Sequence, residues 1–156
     1  MLENRYFEQD DLSLLEKLAE AHPAWKEEEL GEKKDAASYM LSYSMYNGSW
    51  LVWEKDGLPI AVSYHLEWAP SNGKPWLGTV LVDPAEEKKG YARTIIEQIG
   101  QTLNEKHKAV FAAVPINRNE WILFLSQCGF EQLKLEKDEN GKQFIILVKP
   151  LAEADA

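Results

Sequence analysis

The sequence predicts an α/β (α+β) fold: one domain with a central mixed, mostly antiparallel twisted sheet of about seven strands and about four flanking helices. Three observations lead there. Apolar runs of strand length alternate with stretches of helical periodicity in the order β-α-α-β-β-β-α-β-α-β-β. Two turn signals, Asp56-Gly57 and Asn140-Gly141, each join a pair of β-rich runs and so imply antiparallel hairpins. A glycine, Gly90, stands between an apolar strand and an amphipathic helix, the layout of a crossover between strands.

Each element has its own warrant. Arg5 to Phe7 is read as a short first strand, and Asp10 or Asp11 as the cap of a helix carrying Leu12, Leu15, Leu18 and Ala19 at helical spacing. His22-Pro23 stops that helix, since the residue before a proline avoids helical dihedrals. The charged stretch Lys26 to Lys34 reads as a loop or an exposed helical turn. A second helix places Ala36, Tyr39, Met40, Tyr43 and Tyr46 along one side and ends at Asn47-Gly48. Ser49 to Glu54 and Leu58 to Trp68 are the first hairpin. After the loop Ala69 to Pro75 come the strand Trp76 to Val82 and the helix Tyr91 to Lys106, with Ile95, Ile96, Ile99 and Leu103 inward. Ala109 to Val114 is continuously apolar, the pattern of a strand buried on both faces. A helix near Glu120 to Cys128 carries Trp121, Phe124, Leu125 and Cys128 at i, i+3, i+4 and i+7, and Gly129 ends it. Gln132 to Lys137 and Phe144 to Lys149 form the last hairpin. The domain is expected to span 1–150, with a frayed tail over 151–156.

Composition narrows the function classes. The chain has 156 residues, 45% apolar and 28% charged, the mixture of an ordinary globular domain. It offers no apolar run near the roughly 20 residues that span a bilayer, and its first residues show no signal pattern, so a cytoplasmic protein without a membrane role is expected. A formal charge of −9 disfavours nucleic acid, whose binding draws on clustered Lys and Arg. One cysteine, Cys128, lacks Cys or His neighbours at zinc spacing, so no metal is expected and the thiol reads as inert core. Trp50, Trp53, Trp68 and Trp76 read as strand packing.

The segment Trp76 to Ile96 is the most informative about function. A helix start leaves backbone N–H groups unpaired at the positive end of the dipole, and a glycine there lets an anion approach closely. Gly90 before Tyr91 is therefore a candidate pyrophosphate cradle.

These features together, Val82-Asp83-Pro84 closing a strand, then Gly90-Tyr91-Ala92, then Gly129-Phe130 after the last helix, resemble the GNAT superfamily of acyl-CoA-dependent N-acyltransferases. The family's loop reads Gln or Arg, two residues, Gly, one residue, then Gly or Ala. Here Gly90 and Ala92 match while the first position is acidic, Glu87. The resemblance implies a GNAT-like fold in which the strand ending at Val82 splays from its parallel neighbour Ala109 to Val114. It implies acetyl-CoA as co-substrate, held by the backbone of Leu81 and Val82 and by Lys88, Lys89, Gly90, Tyr91, Ala92 and Arg93. The backbone N–H near Val82 is then the implied donor to the thioester oxygen. The family also commonly has an Asn before the last major helix; that position falls on Arg118, with Asn117 and Asn119 beside it, and either Asn is also a plausible helix cap. A Tyr that protonates the departing sulfur would fall on Leu125, so that acid is absent there; Tyr91 or a tyrosine of the second helix is a substitute.

An amine acceptor must lose a proton before it attacks, and the candidate bases are His65 and Glu67, which share a strand face because side chains alternate with period two, with Glu54 as an outsider. The resemblance also makes the loops Ala21 to Lys34 and Ala69 to Pro75 builders of the acceptor site. Tyr39, Tyr43 and Tyr46 are core or boundary aromatics, with a pocket wall as the other reading. The expected function is transfer of an acetyl group from acetyl-CoA to a primary amine of a small molecule or peptide, directly in a ternary complex. The alternative is a weakly active or inactive CoA-binding sensor or scaffold. A monomer and a homodimer are both compatible with the sequence.

Overall fold

Both hairpin signals are realised, and most other elements begin and end where their turn residues dictate. The computed structural model describes residues 2–31 and 35–151. Its elements are β1 (Leu2–Tyr6), α1 (Leu12–Ala21), α2 (Pro23–Glu29), α3 (Ala36–Ser42), β2 (Ser49–Lys55), β3 (Leu58–Leu66), β4 (Trp76–Val82), α4 (Tyr91–Leu103), β5 (Ala109–Pro115), α5 (Asn119–Gln127), β6 (Glu131–Lys137) and β7 (Gln143–Pro150). Single 3-10 turns occupy Gln9–Asp11, Ser44–Tyr46 and Pro84–Glu86. The seven strands follow the order β1-β2-β3-β4-β5-β7-β6. Pairing is parallel between β4 and β5, at Trp76 and Phe111, and antiparallel for β1 with β2, β2 with β3, β5 with β7 and β6 with β7. The chain divides into two compact units, one from residues up to Leu66 together with Thr79–Ile95, the other from Glu67–Gly78 together with Ile96 onward.

In the first unit the β2–β3 turn has both central residues at positive φ, Asp56 at 51° and Gly57 at 81°, the geometry that suits the twist of a two-residue hairpin. Val52 and Val62 face each other across that hairpin and are fully buried. They join Leu15, Leu18, Ala19, Trp25, Leu30, Ala36, Tyr39 and Leu81 in one core cluster. Tyr39 sits edge-on to Trp25, Tyr43 and Trp50 at centroid distances of 5.4, 5.0 and 6.0 Å, so it is a core aromatic. Burial, then the nearby Glu29 charge, raise its pKa well above the ordinary tyrosine value. Gly48 is required by packing: a Cβ there would lie 2.1 Å from the Tyr64 hydroxyl oxygen.

Of the two readings of the charged stretch, the helical one holds over Lys26 to Glu29, because Pro23 begins α2 at its first position and Trp25, only 7% exposed, gives a mostly charged segment one strong anchor. The described residues therefore hold five α-helices rather than about four. Residues 32–34 of the charged stretch lie outside the described residues.

In the second unit β7 lies between β5 and β6, with Val114 opposite Ile145 and Leu135 opposite Ile145 on its other side. β5 is buried on one face only: Val110, Ala112 and Val114 are buried, Ala109 and Phe111 half-buried and Ala113 exposed, correcting the two-faced reading. Small and aromatic residues made the run look uniformly apolar although it alternates. Gly129 ends α5 with φ 99°. The Asp138 side chain accepts from the Asn140 and Lys142 amides and closes the β6–β7 turn. Edge strand β6 carries an irregularity between Gln132 and Lys134, a device that blunts pairing with other chains. Leu151 donates its N–H to the Lys108 carbonyl; the rest of the tail lies outside the described residues.

Candidate active site

The junction of β4 and α4 is built almost wholly from backbone. Asp83 accepts from the Ala85 amide at 3.0 Å, and Pro84 opens the 3-10 turn, so the chain turns sharply after Val82. Glu87 is extended, Lys88 has φ 65° and Gly90 has φ 82°. The Gly90 carbonyl receives both the amide and the hydroxyl of Thr94 at 3.0 Å, which makes it the first acceptor of α4. The N–H groups of Tyr91, Ala92 and Arg93 consequently have no carbonyl one turn back. A Cβ at Gly90 would meet no atom within 4 Å. The glycine thus serves the backbone conformation and leaves open space over a helix start, and this fits a pyrophosphate.

Cations adjoin that turn. Lys88, Lys89 and Arg93 are exposed, Lys89 pairing with Glu86 at 3.0 Å. The β2–β3 hairpin adds Lys55, whose Nζ lies 5.4 Å from the centre of the Tyr91 ring; hydrogen bonding to Tyr91 raises its pKa. Tyr91 and Ala92 are half-buried.

The end of β4 presents its two edges differently. The Asp83 amide donates to Ile60 of β3 at 2.8 Å. Successive residues of an extended strand aim their backbone groups at opposite edges, so the Val82 N–H and C=O point away from β3. His22, between α1 and α2, meets that carbonyl with Nε2 at 2.7 Å. Glu87 Oε1 lies 3.7 Å from the same nitrogen, and Lys17 reaches Asp83 at 3.5 Å, so the α1–α2 corner is tied to the strand end. The Leu81 and Val82 side chains are buried, Leu81 within the core cluster, and the Leu81 backbone aims at β3, which leaves the Val82 N–H for a ligand. The loop from Ala21 borders a hollow of about 560 Å³ whose lining includes Glu16, Glu20, Lys26, Leu30 and Asp35.

The two candidate bases do not share a strand. His65 is buried in β3 opposite Ser49. β3 ends at Leu66, and Glu67 turns out of it to meet His107 Nε2 at 2.8 Å. Alternation cannot carry the shared-face reading past the strand end, and Glu67 is already engaged. Trp68 packs edge-on to the same imidazole at 4.5 Å. Glu54, the outsider, accepts from Arg5 at 3.2 Å.

In the second unit Asn117 lies in the turn after β5 and Asn119 is the first residue of α5, both exposed. The N-cap is Arg118, without a side-chain hydrogen bond, so neither Asn is the cap. Leu125 is fully buried and Phe130 nearly so; the position where a sulfur-protonating Tyr was sought is core. Among the described residues no cluster of three His, Cys, Asp or Glu could hold a metal, and no helix is long and apolar enough to cross a membrane. Sequence reasoning missed His22, treating it as a helix stop. Its only local signal is a titratable side chain placed before Pro23, where two helices meet.

The model of the acetyltransferase (GNAT) family matches residues 12–130. The uncharacterized protein YkzC of Bacillus subtilis (strain 168) is 79% identical over 141 residues, covering 90% of this chain and 99% of that protein. An acetyltransferase from Thermus thermophilus superposes with a TM-score of 0.77 at 17% identity, covering 97% of each chain. Spermidine N-acetyltransferase from Vibrio cholerae, solved with CoA and spermine, superposes with a TM-score of 0.72 at 16% identity over 96% of this chain and 95% of its own. With the family model spanning most of the chain, this protein belongs to the GNAT family of acetyltransferases.

Proposed function

We propose that this protein transfers an acetyl group from acetyl-CoA to a primary amine of a small molecule or peptide, directly, with both substrates bound at once. The observation that carries the reading is the open turn at Lys88 to Gly90, where two left-handed residues and the unpaired amides of α4 leave room for a diphosphate. Lys88, Lys89, Gly90, Tyr91, Ala92 and Arg93 would hold that group. When bound, acetyl-CoA supplies an acetyl thioester with a thiol leaving group of pKa about 8.5. The Val82 N–H, fixed by the strand, would donate to the carbonyl oxygen as charge builds on it. The single cysteine is buried, which suits a reducing, cytoplasmic setting.

Calorimetric titration with acetyl-CoA, with adenosine diphosphate as control, tests the site. Micromolar binding, about 8 kcal/mol, well above the control is expected. Turnover over a panel of amines then tests the reaction. A second reading, a CoA-binding sensor or scaffold, is favoured by Leu125, whose burial leaves no hydroxyl at the usual acid position. Binding without turnover of any amine would select it.

A further inference from the structure

We propose that His22 is the general base of the transfer, accepting a proton at Nδ1 while its Nε2–H is anchored on the Val82 carbonyl; the proposal rests on the acetyltransferase reading above. A carbonyl oxygen only accepts, so the 2.7 Å contact fixes Nε2 as the donor. The lone pair of the neutral ring is therefore at Nδ1, and a proton arriving there leaves the anchoring bond intact. Among the described residues Nδ1 has no hydrogen-bond partner.

Location and surroundings suit the role. His22 touches the residue whose own N–H is the donor proposed for the thioester oxygen, so an amine attacking that carbonyl would pass close to the imidazole. Its side chain is 26% exposed, within reach of an amine or an intervening water. Glu87 Oε1 lies 3.7 Å from Nε2, which puts an acidic residue of the β4–α4 turn beside the ring. The other charges at this corner are already paired, Asp83 with Lys17 and Glu20 with Lys26. By contrast, Glu67 is occupied by His107 and His65 lies within the buried stretch of β3.

Protons and bonds balance. The acceptor ammonium gives one proton to Nδ1, its nitrogen forms a bond to the thioester carbon, and the carbon–sulfur bond breaks. The second proton of the nitrogen ends on sulfur, giving the thiol, and His22 passes its proton to water. One proton is released per turnover, and no hydroxyl at Leu125 is needed.

The test compares the wild-type protein with His22→Gln, which can still donate to Val82 but is no base, and with His22→Asn as a second variant should the first fold poorly. Steady-state kinetics against pH are measured beside calorimetric acetyl-CoA affinity. The expected result is a fall in kcat of about 10²- to 10⁴-fold, loss of the acidic limb of the rate profile, and acetyl-CoA affinity within about threefold. Added imidazole should partly restore His22→Ala. Nitrogen NMR of the wild-type protein should show the Nε2–H tautomer, a readout independent of activity. Unchanged kcat and profile in the variants, or the Nδ1–H tautomer, would overturn the assignment while leaving the transferase reading intact. Lost acetyl-CoA binding in His22→Gln would overturn it in favour of a binding role. A wild-type protein that binds acetyl-CoA but acetylates no amine would overturn both.

Discussion

Two imidazoles, His22 in the first compact unit and His107 in the second, each use Nε2 to hold a distant oxygen, and they differ in what that bond leaves over. His107 meets a carboxylate, Glu67, and its side chain is 7% exposed. That pair satisfies itself and closes the segment after β3, with Trp68 packed against the ring. His22 meets a neutral carbonyl and stays partly open to solvent, so its second nitrogen is chemically available. The difference teaches that a histidine–carboxylate contact, the more obvious acid–base arrangement, is here the structural one. The histidine on a backbone carbonyl at a strand end is the one placed for chemistry.

The sharpest way to break this contrast is to destroy the site around His22 without touching His22. Gly90→Val places a β-branched side chain at φ 82° and fills the open space above α4, so acetyl-CoA affinity should fall by about 100-fold or more while far-UV circular dichroism is kept. An unchanged dissociation constant would sink the loop assignment. A smaller, structural effect is expected at Gly48, where Ala must displace the Tyr64 ring; that substitution should lower stability by about 1–3 kcal/mol, read from urea unfolding. The other side of the contrast is tested by Glu67→Gln. It should reduce stability by about 1 kcal/mol, through the weakened contact to His107, yet leave kcat within about twofold. A collapse of kcat with stability intact would make Glu67 the base after all.

The parts of this molecule legible in its sequence are those decided by neighbours in the chain. β4 runs from Trp76 to Val82 as read, because Pro75 and Pro84 bracket it and its interior is apolar. The β2–β3 turn follows from Asp56-Gly57, and α5 stops at Gly129 because only a glycine readily takes φ 99°. The left-handed turn at Gly90 was legible too, since a glycine between a strand and a helix marks such a backbone conformation. The misreadings share a cause. The charged stretch stayed open between loop and helical turn because a single buried tryptophan, Trp25, outweighs four charged neighbours, and periodicity cannot weigh one anchor. Glu67 was assigned to a strand face because alternation does not announce where a strand ends. His22 gains its place from a contact to Val82, 60 residues away, and no local pattern encodes a bond of that span.

The smallest effect lies at the start of α1, the opposite end of that helix from His22. Asp11 accepts from the Arg5 guanidinium at 2.7 and 2.8 Å and from the Glu8 amide at 2.8 Å. These bonds, Arg5 foremost, hold its carboxyl below the usual Asp range. A depressed folded pKa contributes stability that is present above the unfolded value, about 3.9, and is lost as pH falls through the folded value. Arg5 is 36% exposed, so solvent screens the pair and its worth should stay below about 1 kcal/mol. Asp11→Asn should therefore be slightly less stable than the wild-type protein at pH 7, and urea midpoints should converge as the pH drops below about 4. Because the length of α1, about 15 Å, separates Asp11 from His22, kcat at neutral pH should not change. A gap in midpoints that persists at pH 2 would mean that the cost comes from the packing of the asparagine rather than from the lost charge.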